Sequence, residues 1–137
     1  MNEDDLKKRT KQFALRVIKM SEALPNTVTG RVIQRQIVRC GTAVGANYRA
    51  ACRGRSKAEF ASKLAYVEEE ADETAYWMEL IMEAKLLEEE LIADLLNEAN
   101  ELTAIMVASR ITAKRKAVPE TAIKDLKSTT ENRKSKI

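Results

Sequence analysis

The chain has 137 residues, 45% of them hydrophobic but only 4% aromatic, with 24 basic and 21 acidic side chains. That length fits one domain, and with 4 Gly and 2 Pro the composition favours long helices packed through aliphatic and alanine side chains over sheet. There is no histidine, which excludes the usual zinc sites, Glu-x-x-His di-iron bundles and Ser–His or Cys–His nucleophiles.

Helix one is expected from about Asp4 to Leu24, where Leu6, Phe13, Val17, Met20 and Leu24 form one apolar stripe. Asn2 is placed to cap it, Asp4 and Asp5 suit the positive end of the helix dipole, and Pro25 stops it. Helix two is expected from Gly30 to Arg53, with a core stripe of Ile33, Ile37, Cys40, Val44, Asn47 or Tyr48, and Ala51. Gly41 and Gly45 weaken such a helix by about 1 kcal/mol each relative to alanine, so packing has to justify them. Asn47 on that stripe would need a buried partner such as Glu70.

Helix three opens on Ser56-Lys-Ala-Glu59, a capping-box pattern in which each side chain satisfies a free amide of the other's turn. Phe60, Leu64, Val67, Ala71, Thr74, Met78 and Ile81 then alternate at spacings of four and three. Helix four carries Ile92, Leu95, Ala99, Leu102, Met106 and Ser109 and ends near Lys114. No glycine or proline marks the turn before it, and only the lapse of the pattern places that turn near Lys85–Glu90. The expected fold is therefore all-α, an antiparallel up-down-up-down four-helix bundle over residues 1–117. A basic, disordered, flexible tail is expected over 118–137, either as plain disorder or as a nucleic-acid-binding arm.

No apolar run reaches the ~18–20 residues of a membrane span, and the start MNEDDLKKR lacks the apolar core of a signal peptide. Cys40 and Cys52, twelve residues apart on one helix, are too distant to bridge and read as free thiols. These features predict a cytoplasmic protein without a membrane partner.

Charge is sorted by helix. Residues 25–58 hold seven basic side chains and no acid, whereas residues 59–104 hold fourteen acids and two bases. Arg31, Arg35, Arg39, Arg49 and Arg53 fall within an arc of about 80° on helix two, opposite its core stripe, and Arg55 and Lys57 extend the ridge. Arginine suits bidentate phosphate or carboxylate contacts. The ridge is either a nucleic-acid footprint or the basic half of salt bridges to glutamate-rich helices. A second face of Val38, Gly41, Gly45 and Tyr48, with Tyr66, Tyr76 and Trp77 on helix three, is either a thicker core or an oligomer interface.

Glu69, Glu70 and Glu73 form an EExxE pattern, half of the Mg²⁺ motif of MazG-type nucleotide pyrophosphohydrolases. The downstream pair, Glu90 and Asp94, is spaced four apart instead of three, so the enzyme reading is the weakest. No catalytic residue, metal or cofactor is expected.

Val44-Gly-Ala-Asn-Tyr-Arg-Ala-Ala, Arg53-Gly-Arg-Ser-Lys-Ala-Glu-Phe60 and Val67-Glu-Glu-Glu-Ala-Asp-Glu73 together resemble the four-helix bundle proteins encoded in 23S rRNA intervening sequences. The resemblance spans roughly residues 6–114. It implies an antiparallel bundle that assembles as a homopentamer, in a family with no established enzymatic activity. It also implies kinship with an accessory protein of diversity-generating retroelements, whose basic surface is used for nucleic acid. Asn47, Arg53, Arg55, Ser56, Lys57 and Phe60 are the positions that carry the match. Many relatives have a proline shortly before the asparagine, where this chain has Val44-Gly45-Ala46, so a straighter helix two is expected. RNA or DNA and further copies of the chain are thus the expected partners.

Overall fold

The computed structural model describes residues 1–117. The expectation of a flexible tail falls on residues outside that range. Four α-helices follow one another, α1 (Glu3–Ser21), α2 (Val28–Cys52), α3 (Lys57–Glu83) and α4 (Ala93–Ala117), with one 3₁₀ turn at Glu89–Leu91. Each packs on the next in antiparallel order, and α1 closes back onto α4. The chain is an all-α up-down-up-down bundle.

Local chemistry sets the helix ends. Asn2 caps α1 reciprocally, with the Asp5 amide donating to Asn2 Oδ1 at 2.8 Å and the Asn2 amide to Asp5 Oδ2 at 3.3 Å. The helix ends at Ser21, three residues short of Leu24. A residue before proline is pushed out of the helical region, and the last carbonyls are taken instead by tighter bonds, Ala23 N to Met20 O and Leu24 N to Ser21 O, both 3.1 Å. Thr27 caps α2 by accepting from Gly30 N at 3.0 Å, which starts that helix two residues before Gly30.

Ser56 accepts from the Glu59 amide at 3.0 Å, but the Glu59 carboxylate turns to the Arg55 amide at 2.9 Å. The expected box therefore closes one residue early. At the end of α3, Lys85 adopts φ 55°. Leu86 N donates to Ile81 O at 3.0 Å and Lys85 N to Met82 O at 3.1 Å. These two bonds make a Schellman cap with lysine where glycine is the usual residue.

The core stripes match the sequence pattern closely on α3, where Leu64, Val67, Ala71, Thr74, Met78 and Ile81 are all buried, and in the last segment, where Ile92, just before α4, and Leu95, Ala99, Leu102 and Met106 on it are. Phe60 and Ser109 are only half-buried. On α2 the stripe position belongs to Tyr48, 3% exposed, and Asn47 is only half-buried, so it is not the buried amide that the stripe suggests.

Helix α2 runs unbroken through both glycines, and α1 is what they admit. A Cβ at Gly41 would stand 2.7 Å from Val17 Cγ1, and one at Gly45 would stand 3.4 Å from the Thr10 backbone. Thr10 is fully buried there, its hydroxyl donating back to Leu6 O at 2.8 Å. Burial pushes the Cys40 thiol up to about 11 and raises the half-buried Cys52 as well. No helix among the described residues is long and apolar enough to cross a membrane.

Candidate nucleic-acid interface

Because α2 is continuous, its arginine periodicity becomes a real ridge. Arg31, Arg35, Arg39, Arg49 and Arg53 are all exposed, as are Arg55 and Lys57 beyond the helix end. Within the ridge, Arg39 alone meets carboxylates among the described residues. Its guanidinium donates to Glu70 at 3.4 Å and to Glu73. Arg31 donates to the Asn26 side-chain oxygen at 2.9 Å. Arg35, Arg49, Arg53, Arg55 and Lys57 make no salt bridge among the described residues.

The acids that do pair lie at helix–helix seams. Glu68 of α3 accepts from Arg110 of α4 at 2.8 Å. Glu98 of α4 receives both Nε (2.8 Å) and Nη2 (2.6 Å) of Arg9, and Glu101 receives Nη2 at 2.6 Å. The hydrogen bond from Arg9 holds the Glu98 carboxyl below the usual glutamate range, against the opposing effect of partial burial. The same contact raises the Arg9 guanidinium.

Beside the ridge lies a groove of about 430 Å³ between α1 and α2. It is lined by Lys7, Lys8, Lys11 and Arg49 together with Ala14, Thr42, Gly45 and Ala46, and among the described residues no acidic side chain lines it. Lys7 is held by Glu3 at 3.0 Å, while Lys8 and Lys11 are exposed and in no salt bridge among the described residues. Sequence reasoning missed these lysines. Their spacing puts them near one another on α1, but only the close approach of α1 to α2 sets them against Arg49.

The seven residues expected on a second face are divided. Gly41 and Tyr48 turn inward onto α1 and the core, and Val38 is half-buried against the same core. Gly45 lines the α1–α2 groove. Tyr66 and Tyr76 stand 60% and 52% exposed on α3. Trp77 is half-buried, its ring edge-to-face with Tyr76 at 5.5 Å and its indole nitrogen donating to Glu73 at 3.1 Å.

The EExxE glutamates do not converge. Glu70 and Glu73 engage Arg39 while Glu69 is exposed, and among the described residues no group of three carboxylates, cysteines or histidines could hold a metal. Glu90 and Asp94 line a different groove at the α1–α4 seam, together with Arg16 and Lys19.

Residues 2–108 match the 23S rRNA-intervening sequence protein family. The chain is also similar to a solved crystal structure of a protein of unknown function from the S23 ribosomal protein family of Bacteroides thetaiotaomicron. The two are 31% identical with a TM-score of 0.73, over 80% of this chain and 98% of that one. No curated protein matches.

Proposed function

Since the chain belongs to the 23S rRNA-intervening sequence protein family, we propose that it is a non-enzymatic, cytoplasmic helical scaffold that binds RNA through the exposed face of α2. Arg31, Arg35, Arg39, Arg49, Arg53, Arg55 and Lys57 supply the phosphate contacts. One observation carries this reading: a row of solvent-facing cations of which only Arg39 is neutralised by the acids of its own bundle among the described residues. Such a row repels itself until an anion covers it. The S23 ribosomal protein name borne by the solved relative favours ribosomal RNA as that anion. We extend the proposal to a homopentamer, and to kinship with the retroelement accessory bundles, on the resemblance alone. In a ring the ridge is repeated by symmetry, and each repeat adds phosphate contacts.

The test is an anisotropy titration against ribosomal RNA fragments at two salt concentrations, with the assembly's mass read by light scattering. The wild-type protein binds in a salt-sensitive way. Combining Arg49→Glu with Arg53→Glu weakens binding about a hundredfold without changing the mass, as expected for loss and reversal of phosphate contacts.

A second reading rests on α3. Glu69, Asp72, Glu79 and Glu83 share an exposed stripe with Tyr76, and none of the four is in a salt bridge among the described residues. A ridge from another copy would complement that stripe, making the protein an interaction scaffold with no nucleic-acid role. In that case the same double variant lowers the mass of the assembly, and the wild type binds no RNA.

A further inference from the structure

We infer that the α1–α2 groove is itself a phosphate-binding site, and that its ligand is the backbone of base-paired RNA. The inference rests on the reading of α2 as an RNA-binding face and adds α1 as a second wall. Gly41 and Gly45 let α1 approach until Lys7, Lys8 and Lys11 stand across the groove from Arg49. Four cations then line one channel of about 430 Å³, and only Lys7 has a carboxylate partner among the described residues. Drawing like charges together raises the local potential and concentrates a polyanion there.

The groove's chemistry also selects the kind of strand. Proteins that hold single strands stack the bases on aromatic side chains, and sequence readers offer donors and acceptors to base edges. Among the described residues no aromatic side chain lines this groove. Thr42 supplies the one hydroxyl among the described lining residues, and it donates to its own helix at Val38 O, 2.6 Å away. The prominently exposed tyrosines, Tyr66 and Tyr76, belong to the acid-rich α3. What remains is positive charge alone, and a duplex presents about twice the backbone charge per unit length of a single strand.

Lys8 and Lys11 are the residues to change, because both are exposed and neither holds a neighbouring side chain through a salt bridge among the described residues. The full chain is titrated with duplex and single-stranded RNA of equal length across a salt series. Wild type is compared with Lys8→Gln + Lys11→Gln and with Arg31→Gln + Arg35→Gln. The expected result has three parts. Wild type prefers the duplex by about tenfold, the lysine pair of changes weakens duplex binding roughly tenfold, and it lowers the salt slope by about two. If the lysine variant keeps the wild-type slope while the arginine variant loses it, the groove assignment is overturned and the ridge alone carries RNA. Equal or tighter binding of the single strand overturns the duplex assignment. Absence of salt-sensitive binding by the wild type overturns the underlying functional reading along with this one.

Discussion

Helix α1 is held on its two flanks by different physics. Towards α2 the grip is shape: Val17 fits against the bare backbone of Gly41, and buried Thr10 lies against Gly45. Towards α4 the packing is thinner, and a guanidinium clamp joins Arg9 to Glu98 and Glu101. The charge pattern follows from this division. The α4 flank needs opposite charges at its edge. The α2 flank, fastened by close contact, tolerates lysines facing an arginine, a like-charge arrangement that costs stability and that Glu3 relieves only at Lys7 among the described residues. Where packing holds two helices together, surface charge is free to be used for binding.

The largest expected effect breaks the shape-based grip. Gly41→Val places new carbon where even a Cβ meets Val17 at 2.7 Å, and overpacking of this kind costs about 1–3 kcal/mol. Urea denaturation should show a lower midpoint with little change in slope. Gly45→Ala sharpens the contrast, since its Cβ reaches only ordinary contact at 3.4 Å. There the gain in helix propensity, up to about 1 kcal/mol, should leave stability unchanged or raised.

A smaller effect is expected at the electrostatic clamp. Arg9→Gln should cost about 1 kcal/mol at neutral pH, because the pair is part-exposed and solvent screens it. Glu98 has a depressed carboxyl pKa in the folded protein. Its contribution is therefore full above the unfolded value of about 4.3 and is lost as pH falls through the lower folded value. Thermal melts should show wild type and variant separated at pH 7 and converging below about pH 4. A gap that persists in acid would mean that Arg9 acts through packing.

The smallest effect leaves α1 alone. Lys85→Gly relieves a left-handed residue at the α3–α4 cap and should add about 0.5–1 kcal/mol. It should raise Tm by a few degrees while leaving RNA affinity unchanged.

Most of the fold was legible because apolar periodicity is a property of one helix at a time. The α3 stripe from Leu64 to Ile81 is buried as its four-three spacing requires. The arginine ridge was legible for the same reason. What escaped was everything decided between helices. Asn47 and Tyr48 flank the α2 stripe on opposite sides, about 100° apart on the wheel, and only the position of α1 and the core makes Tyr48 the buried one. The spacing of Gly41 and Gly45 shows that a helix can come close but not which one, and in the fold it is α1. The lysine groove needs two helices in register and has no single-helix signature. The α3–α4 turn was hard to place because lysine occupies the glycine position of its cap.

Trp77 is the only tryptophan in the chain. Its indole donates to the Glu73 carboxylate, which also receives Arg39 from the ridge. The intrinsic emission of the molecule thus arises at one hydrogen-bonded relay from the basic face. Any ligand that draws Arg39 away changes the acceptor that the indole senses, so the protein carries an unlabelled optical reporter of its own charged surface.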